Sequence, residues 1–318
     1  MGQRVCVIGG SGFVGRTIAK QAVAAGHSVT VGCRHPEQAR AMLVDGVRLK
    51  RVDVVDGRGI DEAIKGCDTV IYLVGLLFER GRYNFQAAHV DGVEHVLAAC
   101  QRAGVGQYLH MSALGAGAVP ESSYATSKGE AEKHVRASGL NWTIFRPSII
   151  YGAGDSFFNT FKSISSTLPA VPVICGETRF QPVWVEDVAR AFVGAIGNRH
   201  TAGQCYELGG PATYSLKQLL EMTLDTLGRK RMLLTLPKFA ASLMAMIGSL
   251  LPTPPLTKDQ LILLGHDNIV SGEPFPALFG PPPARLEDIL PTFITGNQAE
   301  VLQQQWNISR QHYRKGGV

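Results

Sequence analysis

A glycine-rich turn near the start constrains this chain more than any other stretch. In "VCVIGGSGFVGRTIAK", Gly9, Gly12 and Gly15 stand between an apolar run over residues 4–9 and a helical pattern over residues 14–25. Glycines spaced this way behind a strand suit a phosphate cradle. The first permits a tight turn, the second lets backbone approach a pyrophosphate, and the third lets the helix pack closely on the strand. The helix N-terminus then offers unpaired N–H groups and partial positive charge to the phosphates. Ser11, Phe13, Val14 and Arg16 complete the loop and first turn expected to line a dinucleotide.

The texture downstream agrees with that cradle. Short apolar runs at 28–33, 47–54, 68–75, 107–112 and 142–148 alternate with helical patterns such as 92–103. This is the signature of β-α-β units, and right-handed crossovers make it an α/β, Rossmann-like doubly wound parallel sheet. After Tyr151 strands shorten and Pro and Gly become frequent. The chain divides into a nucleotide-binding domain over 1–154, with 178–200 returning to it, and a smaller C-terminal α/β domain over 155–177 and 201–296. A polar, basic tail follows at 297–318. Behind Pro237, Phe239, Leu243, Met246, Ile247 and Leu250 share one helical face beside the basic Arg229, Lys230 and Arg231. That face reads as core or as a surface for a membrane or partner. Thr257 with Gln260 makes a capping box, and Gly265 supplies a stop. Residues 266–296 read as a Pro-rich loop.

Composition narrows the class. With 45% apolar and 18% charged residues the chain is globular, and a net charge of +5 is too weak and scattered for nucleic acid. The six cysteines stand singly, which suits a reducing compartment and no metal site. The first strand begins by Arg4, so no signal peptide is expected, and no apolar run is clean enough to span a bilayer. Cys6 stands where a myristoylation motif wants Ser or Thr. The expected location is cytoplasmic, with a peripheral place at the inner membrane as the alternative.

The end of the second apolar run selects the dinucleotide. NAD is held by a carboxylate there, but this chain offers "GCRHPEQ", with Arg34 and no acid before Glu37. A guanidinium suits a 2′-phosphate through paired charge-assisted bonds, and Arg16 adds a second cation. NADP(H) in preference to NAD(H) is the expected cofactor. Asp53, followed by Val54, ends the third run; it reads either as an acceptor for the adenine amino group or as a cap for the stretch from Arg58. Val74 and Gly75 end the fourth, leaving room for the adenosine.

A second constellation follows the fifth run. Ser112 ends it, and Tyr124 and Lys128 lie four residues apart, on one face of a helix. An ammonium beside a phenol lowers the Tyr pKa, so Tyr124 can exchange a proton with a carbonyl or alcohol while nicotinamide exchanges hydride, with Ser112 orienting the same oxygen. The same trio can instead hold the nicotinamide ribose without turnover.

The glycine turn, Asp53-Val54, Ser112, Tyr124-x-x-x-Lys128, "RPSIIYG" and "VWVEDVA" resemble an extended or atypical short-chain dehydrogenase/reductase. "GGSGFVGR", "HMSALGA", "QPVWVEDVAR" and "FGPPPARLEDILPTFI" narrow the resemblance to the nucleotide-binding accessory subunit of respiratory complex I and its bacterial relatives. That resemblance implies a smaller domain over the cofactor, with Pro147, Ile149 and Ile150 near the nicotinamide and Asn159 and Gln181 facing a substrate cavity. It implies a structural nucleotide and a link to respiratory or ubiquinone-biosynthesis proteins. The Tyr-Gly ending of sugar-nucleotide epimerases is missing after Ser112. An active NADP-dependent oxidoreductase or an epimerase/dehydratase-like enzyme stays open, as does an NADP(H) redox sensor. No polar cluster names a substrate, and the apolar lean of the C-terminal region favours a hydrophobic one such as a quinone.

Overall fold

The structure is a computed structural model and describes residues 2–40, 43–237 and 257–295 of the 318-residue chain. Six apolar runs form strands β1 (Arg4–Ile8), β2 (Ser28–Cys33), β3 (Arg48–Arg51), β4 (Thr69–Tyr72), β5 (Gln107–Met111) and β6 (Trp142–Pro147). A seventh strand, Gln204–Leu208, pairs with β6. All seven run parallel, in the order seventh strand, β6, β5, β4, β1, β2, β3. The chain walks outward from β1 to β3 and crosses back to β4. The sheet therefore reverses its winding between β1 and β4, and ligands of such sheets sit beyond the strand ends at that point.

The helices are α1 (Phe13–Ala24), α2 (Pro36–Ala39), α3 (Ile60–Ile64), α4 (Gly92–Ala103), α5 (Ser123–Ala137), α6 (Phe157–Thr167), α7 (Val185–Ala195) and α8 (Leu216–Thr226). Alternate residues of β1 serve opposite faces of the sheet. Val5 and Val7 join a core with Ile18 and Ala22 of α1 and Val188 and Phe192 of α7. Cys6 and Ile8 join a second core with Ile60 and Ile64 of α3, Val93 and Val96 of α4, and Ala131 and Val135 of α5. Burial on both faces explains why β1, β2 and β4 read as continuous apolar runs, whereas the edge strand β3 is mostly exposed. Each such aliphatic side chain contributes about 1.5–3 kcal/mol. α7 packs against α1, with Val188 and Phe192 in the first core.

A third core gathers Tyr151, Phe158, Val171 and Val173 with Leu219 and Leu220 of α8 and with Leu286, Leu290 and Phe293. The last three belong to a helix, Leu286–Ile294, and this corrects the expected loop over 266–296. Leu286, Leu290, Phe293 and Ile294 form one apolar stripe at helical spacing, and its burial outweighs the Pro291 within it. The Thr257–Gln260 capping box forms and opens a short helix, Lys258–Leu263. The Phe239–Leu250 face and the 297–318 tail lie outside the described residues.

Candidate functional site: a dinucleotide cleft with a Tyr–Lys helix

At the end of β1, Gly9 takes φ +82°, which favours glycine, and donates its N–H to the Gly32 carbonyl. The Gly12 N–H bonds back to the Gly9 carbonyl at 3.1 Å, and Gly12 caps α1 without any side-chain capping bond. A Cβ on Gly15 would fall 2.5 Å from Gly10 Cα and 2.7 Å from the Gly9 oxygen, so helix and turn meet this closely only around a bare backbone. A Cβ on the exposed Gly12 would meet the Gly9 oxygen alone, at 3.3 Å. No acidic residue stands in the first turn of α1 to oppose its dipole. Gly9 and Gly15 thus hold the turn while Gly12 stays exposed at the start of α1, and this fits a pyrophosphate.

The neighbouring residues gather round that turn. Ser11 lies beside the Cys33 thiol at the end of β2, and Val14 packs on the first core. Burial lowers the Arg16 guanidinium from its usual pKa. Gly152 and Gly154 bring the chain after β6 alongside, since their Cβ positions lie 3.6 Å from Phe13 Cζ and 3.7 Å from an Arg16 guanidinium nitrogen. On that path the Pro147 carbonyl accepts from Leu114 N–H, while Ile149 and Ile150 pair with Val183. Val74 lies against Gly9 across the β1–β4 switch, 3.2 Å from its Cβ position, and Gly75 is exposed.

Beyond the end of β2, Arg34 is exposed and its guanidinium lies 4.5 Å from the ring centre of Tyr83. Arg51 fixes the backbone there by donating to the Arg34 carbonyl at 2.8 Å and pairing with Glu37 at 2.9 Å. Asp53 is buried. Its Oδ1 accepts from Val55 N–H, and its Oδ2 accepts from Arg82 and from the Tyr83 hydroxyl. The alternative role as a helix cap is corrected: Asp56 takes the Arg58 N–H, and α3 starts behind Gly59. The Val54 carbonyl lies 2.8 Å from His95 Nδ1. Arg82 and Tyr83 were not legible in the sequence, because only the fold carries their turn to Asp53.

The reaction end is differently arranged. Lys128 is buried, donates from Nζ to the Met111 carbonyl at 3.0 Å, and stands 3.8 Å from the Cβ position of Gly75. Burial pulls its ammonium down to about 8. Tyr124 is half-buried, edge-on to Phe85 and His89. Burial, reinforced by the charge of Asp259, pushes its phenol up to about 12. That is the reverse of the direction expected from the Tyr–Lys spacing: Lys128 faces a carbonyl and does not stabilise a phenolate here.

Ser112 is buried and donates its hydroxyl to Glu132 Oε1 at 2.6 Å. Glu132, one turn beyond Lys128, is gripped by Arg146 through bonds of 2.7 and 2.6 Å. Burial alone would raise its carboxyl, but the bonds from Arg146 and Ser112 hold it below its ordinary value. The structure joins Ser112 to Glu132 and Lys128 to Met111; no bond links either to the Tyr124 hydroxyl among the described residues. His89, in a π-helical turn over Gln86–Asp91, accepts from Leu76 N–H at Nε2 and so bears its proton on Nδ1, facing Ser127. Ser127 in turn donates to the Tyr124 carbonyl, and burial pulls the His89 ring down to about 2. Neither His89 nor Glu132 carried a sequence signal, since their partners lie far off in the chain.

Of the two residues expected at a substrate cavity, Asn159 donates to the Asp155 carbonyl on the way into α6. Gln181 is buried, with its amide donating to Gly210 and accepting from Val270 N–H.

An NAD(P)H-binding family model matches residues 9–158, and a model of the RmlD substrate binding domain matches residues 115–234. The mitochondrial NADH dehydrogenase [ubiquinone] 1 alpha subcomplex subunit 9 of Arabidopsis thaliana is 30% identical over 330 residues, spanning 98% of this chain and 78% of its own length. The chain belongs to this subunit 9 family. Its fold is that of the NAD(P)-binding short-chain dehydrogenase/reductases. The mitochondrial 40 kDa subunit of NADH-ubiquinone oxidoreductase from Neurospora crassa is 24% identical to this chain over 277 residues, covering 86% of this chain and 73% of its own length. An NADPH-dependent quinone oxidoreductase from Escherichia coli, solved with NADPH, shares the fold, with a TM-score of 0.73 at 19% identity over 89% of this chain and 97% of that one. No helix among the described residues is long and apolar enough to cross a membrane.

Proposed function

We propose that this subunit 9 relative holds NADP(H), in preference to NAD(H), as a largely structural cofactor, and serves as an accessory protein of a respiratory-chain or ubiquinone-related assembly at the inner face of a membrane. The observation that carries the cofactor choice is Arg34, fixed at the end of β2 with no carboxylate beside it in that strand end. Gly9, Gly12 and Gly15 with the start of α1 take the pyrophosphate, and Ser11, Phe13, Val14 and Arg16 line it. Asp53 and Val54 flank the adenine, Val74 and Gly75 leave room for the adenosine, and Pro147, Ile149 and Ile150 border the nicotinamide half. The nucleotide unit is 1–154 with 178–200, and the smaller unit, 155–177 with 201–296, covers the cofactor. Exposed Met232 and Leu234, next to Arg229, Lys230 and Arg231, offer apolar and basic groups to a membrane or partner.

NADP(H), when bound, supplies hydride exchange. The structural role is favoured by a reaction end whose groups are engaged elsewhere: Ser112 gives its proton to Glu132, and Tyr124 keeps its own near neutral pH. The deciding measurement is exchange of bound NADPH against labelled NADPH in the purified protein. Retention for hours supports the structural role, and release within seconds defeats it.

A second reading, an active NADP-dependent oxidoreductase or epimerase/dehydratase-like enzyme, is favoured by Lys128 beside Gly75 with a pKa near 8. In it Tyr124 exchanges the proton and Lys128 and Ser112 position it. Tyr124→Phe then abolishes turnover and leaves NADPH binding intact. Failure of every carbonyl, quinone and nucleotide-sugar substrate to support hydride transfer removes this reading.

A further inference from the structure

The loop after β4 folds back as a two-residue hairpin, in which Arg80 and Tyr83 exchange backbone bonds around Gly81 and Arg82. Gly81 takes φ +56°, the conformation that such a turn requires at its first central position. The hairpin carries its two side chains to the adenosine end of the cleft. There the guanidinium carbons of Arg34 and Arg82 lie 4.5 and 4.9 Å from the centre of the single Tyr83 ring. The Tyr83 hydroxyl donates to buried Asp53 at 2.9 Å, which fixes the ring in place. One aromatic side chain thus holds two cations together where like charges would otherwise drive them apart.

The carboxylates around them are arranged so that Arg82 can change partner. Arg82 bonds Asp53, the Tyr83 hydroxyl and, at 3.0 Å, Asp56. Asp56 has a second cation in Arg58, at 2.7 Å. Asp53 keeps the Tyr83 hydroxyl and the Val55 N–H when Arg82 moves. Arg34 pairs with no carboxylate among the described residues, so its fork is open to an anion.

We infer that the 80–83 hairpin is an adenosine clamp, in which Arg82 joins Arg34 on the 2′-phosphate of NADP(H) and Tyr83 is the platform that positions both guanidinia. The inference rests on the NADP(H) reading above and extends it to two residues outside the glycine and β2 signatures. It makes the choice between NADP(H) and NAD(H) depend on a loop that belongs to neither. The chemistry recognised is a phosphomonoester beside an adenosine, for which two guanidinium forks supply paired charge-assisted bonds.

The test is calorimetric titration of the full chain with NADPH and, separately, NADH, each variant being checked for folding by its melting transition. Arg82→Ala and Arg82→Gln should weaken NADPH binding about ten- to hundredfold, the loss of one charge-assisted contact, and leave NADH within about twofold. Arg82→Gln preserves the hairpin's bulk and polarity should the alanine variant unfold. Tyr83→Ala should erase the same preference, and Tyr83→Phe, which keeps the ring, should restore most of it. If wild type prefers NADPH, Arg34→Ala removes that preference and both Arg82 variants retain it, the clamp is wrong and the NADP(H) reading stands. If wild type binds the two nucleotides equally, or binds neither, both fall together.

Discussion

The two ends of the cleft are built on different principles. The phosphate end is backbone: Gly9, Gly12 and Gly15 shape it, and almost nothing there depends on which proton sits where. The reaction end is side chain, and each functional group is bound to something beyond the motif that suggested it. Ser112 gives its hydrogen to Glu132, Lys128 to the Met111 carbonyl, and the first turn of α5 answers to Asp259. A cofactor cradle can therefore persist while the acid–base set beside it is turned aside. That is the physical sense in which a dehydrogenase-like fold can keep its nucleotide without using it.

The hardest test of this contrast is Glu132→Ala. It leaves Arg146 unpaired in a partly buried site and should destabilise the fold by about 3–5 kcal/mol in chemical unfolding, while NADPH affinity measured below the transition stays near wild type. A matching loss of affinity would mean that the two ends are not separable.

Lys128→Met sharpens the same contrast through pH. The folded ammonium titrates near 8 against an ordinary 10.5, so between those values the unfolded chain binds more protons and stability rises with pH. Below pH 8 the buried charge is a burden of about 3 kcal/mol. The variant should accordingly be more stable than wild type at pH 7, with the gap closing by pH 10. A gap independent of pH would place the Lys128 ammonium in water rather than in the core.

Two glycine variants probe the phosphate end. Gly15→Ala drives a methyl group into Gly10 and should cost about 1–3 kcal/mol together with most of the NADPH affinity. Gly12→Ala meets only the Gly9 oxygen, so its stability should stay near wild type while affinity falls. Equal melting temperatures for the two would deny that Gly15 is a packing position.

The smallest effect belongs to Asp259→Asn, which keeps an acceptor for the Ser123 N–H but removes the charge. Stability should fall by about 1 kcal/mol or less, and the Tyr124 phenol, followed by tyrosinate absorbance, should titrate lower than wild type. An unmoved titration would remove Asp259 from the account of Tyr124.

Much of this fold was legible because it rests on local rules. β1, β2 and α4 follow from apolar runs, glycine punctuation and helical period, and the Thr257–Gln260 capping box from a four-residue pattern. The helix Leu286–Ile294 escaped, since the prolines at 281–283 ahead of it and Pro291 within it read as loop, and its stripe matters only against Tyr151 and Phe158. At the site, position singled out Arg34 and Lys128, but their settings could not be read from it. The Tyr124 phenol is raised by its burial and then by the charge of Asp259, 135 residues away, and Asp53 is held by Arg82 and Tyr83 from a loop with no motif. Spacing reveals which side chains share a helix face, whereas protonation is set by whatever the rest of the chain packs against it.

Asp259 has one more consequence, for the order in which the molecule is completed. It accepts from the Ser122 hydroxyl and the Ser123 N–H across 137 and 136 residues of chain. Everything that forms the seven-stranded sheet and the glycine turn precedes it, ending at Leu208. During synthesis the strands of the sheet and the glycine turn emerge before Asp259, so the first turn of α5, which bears Tyr124, waits for an acceptor that arrives only after the sheet's last strand.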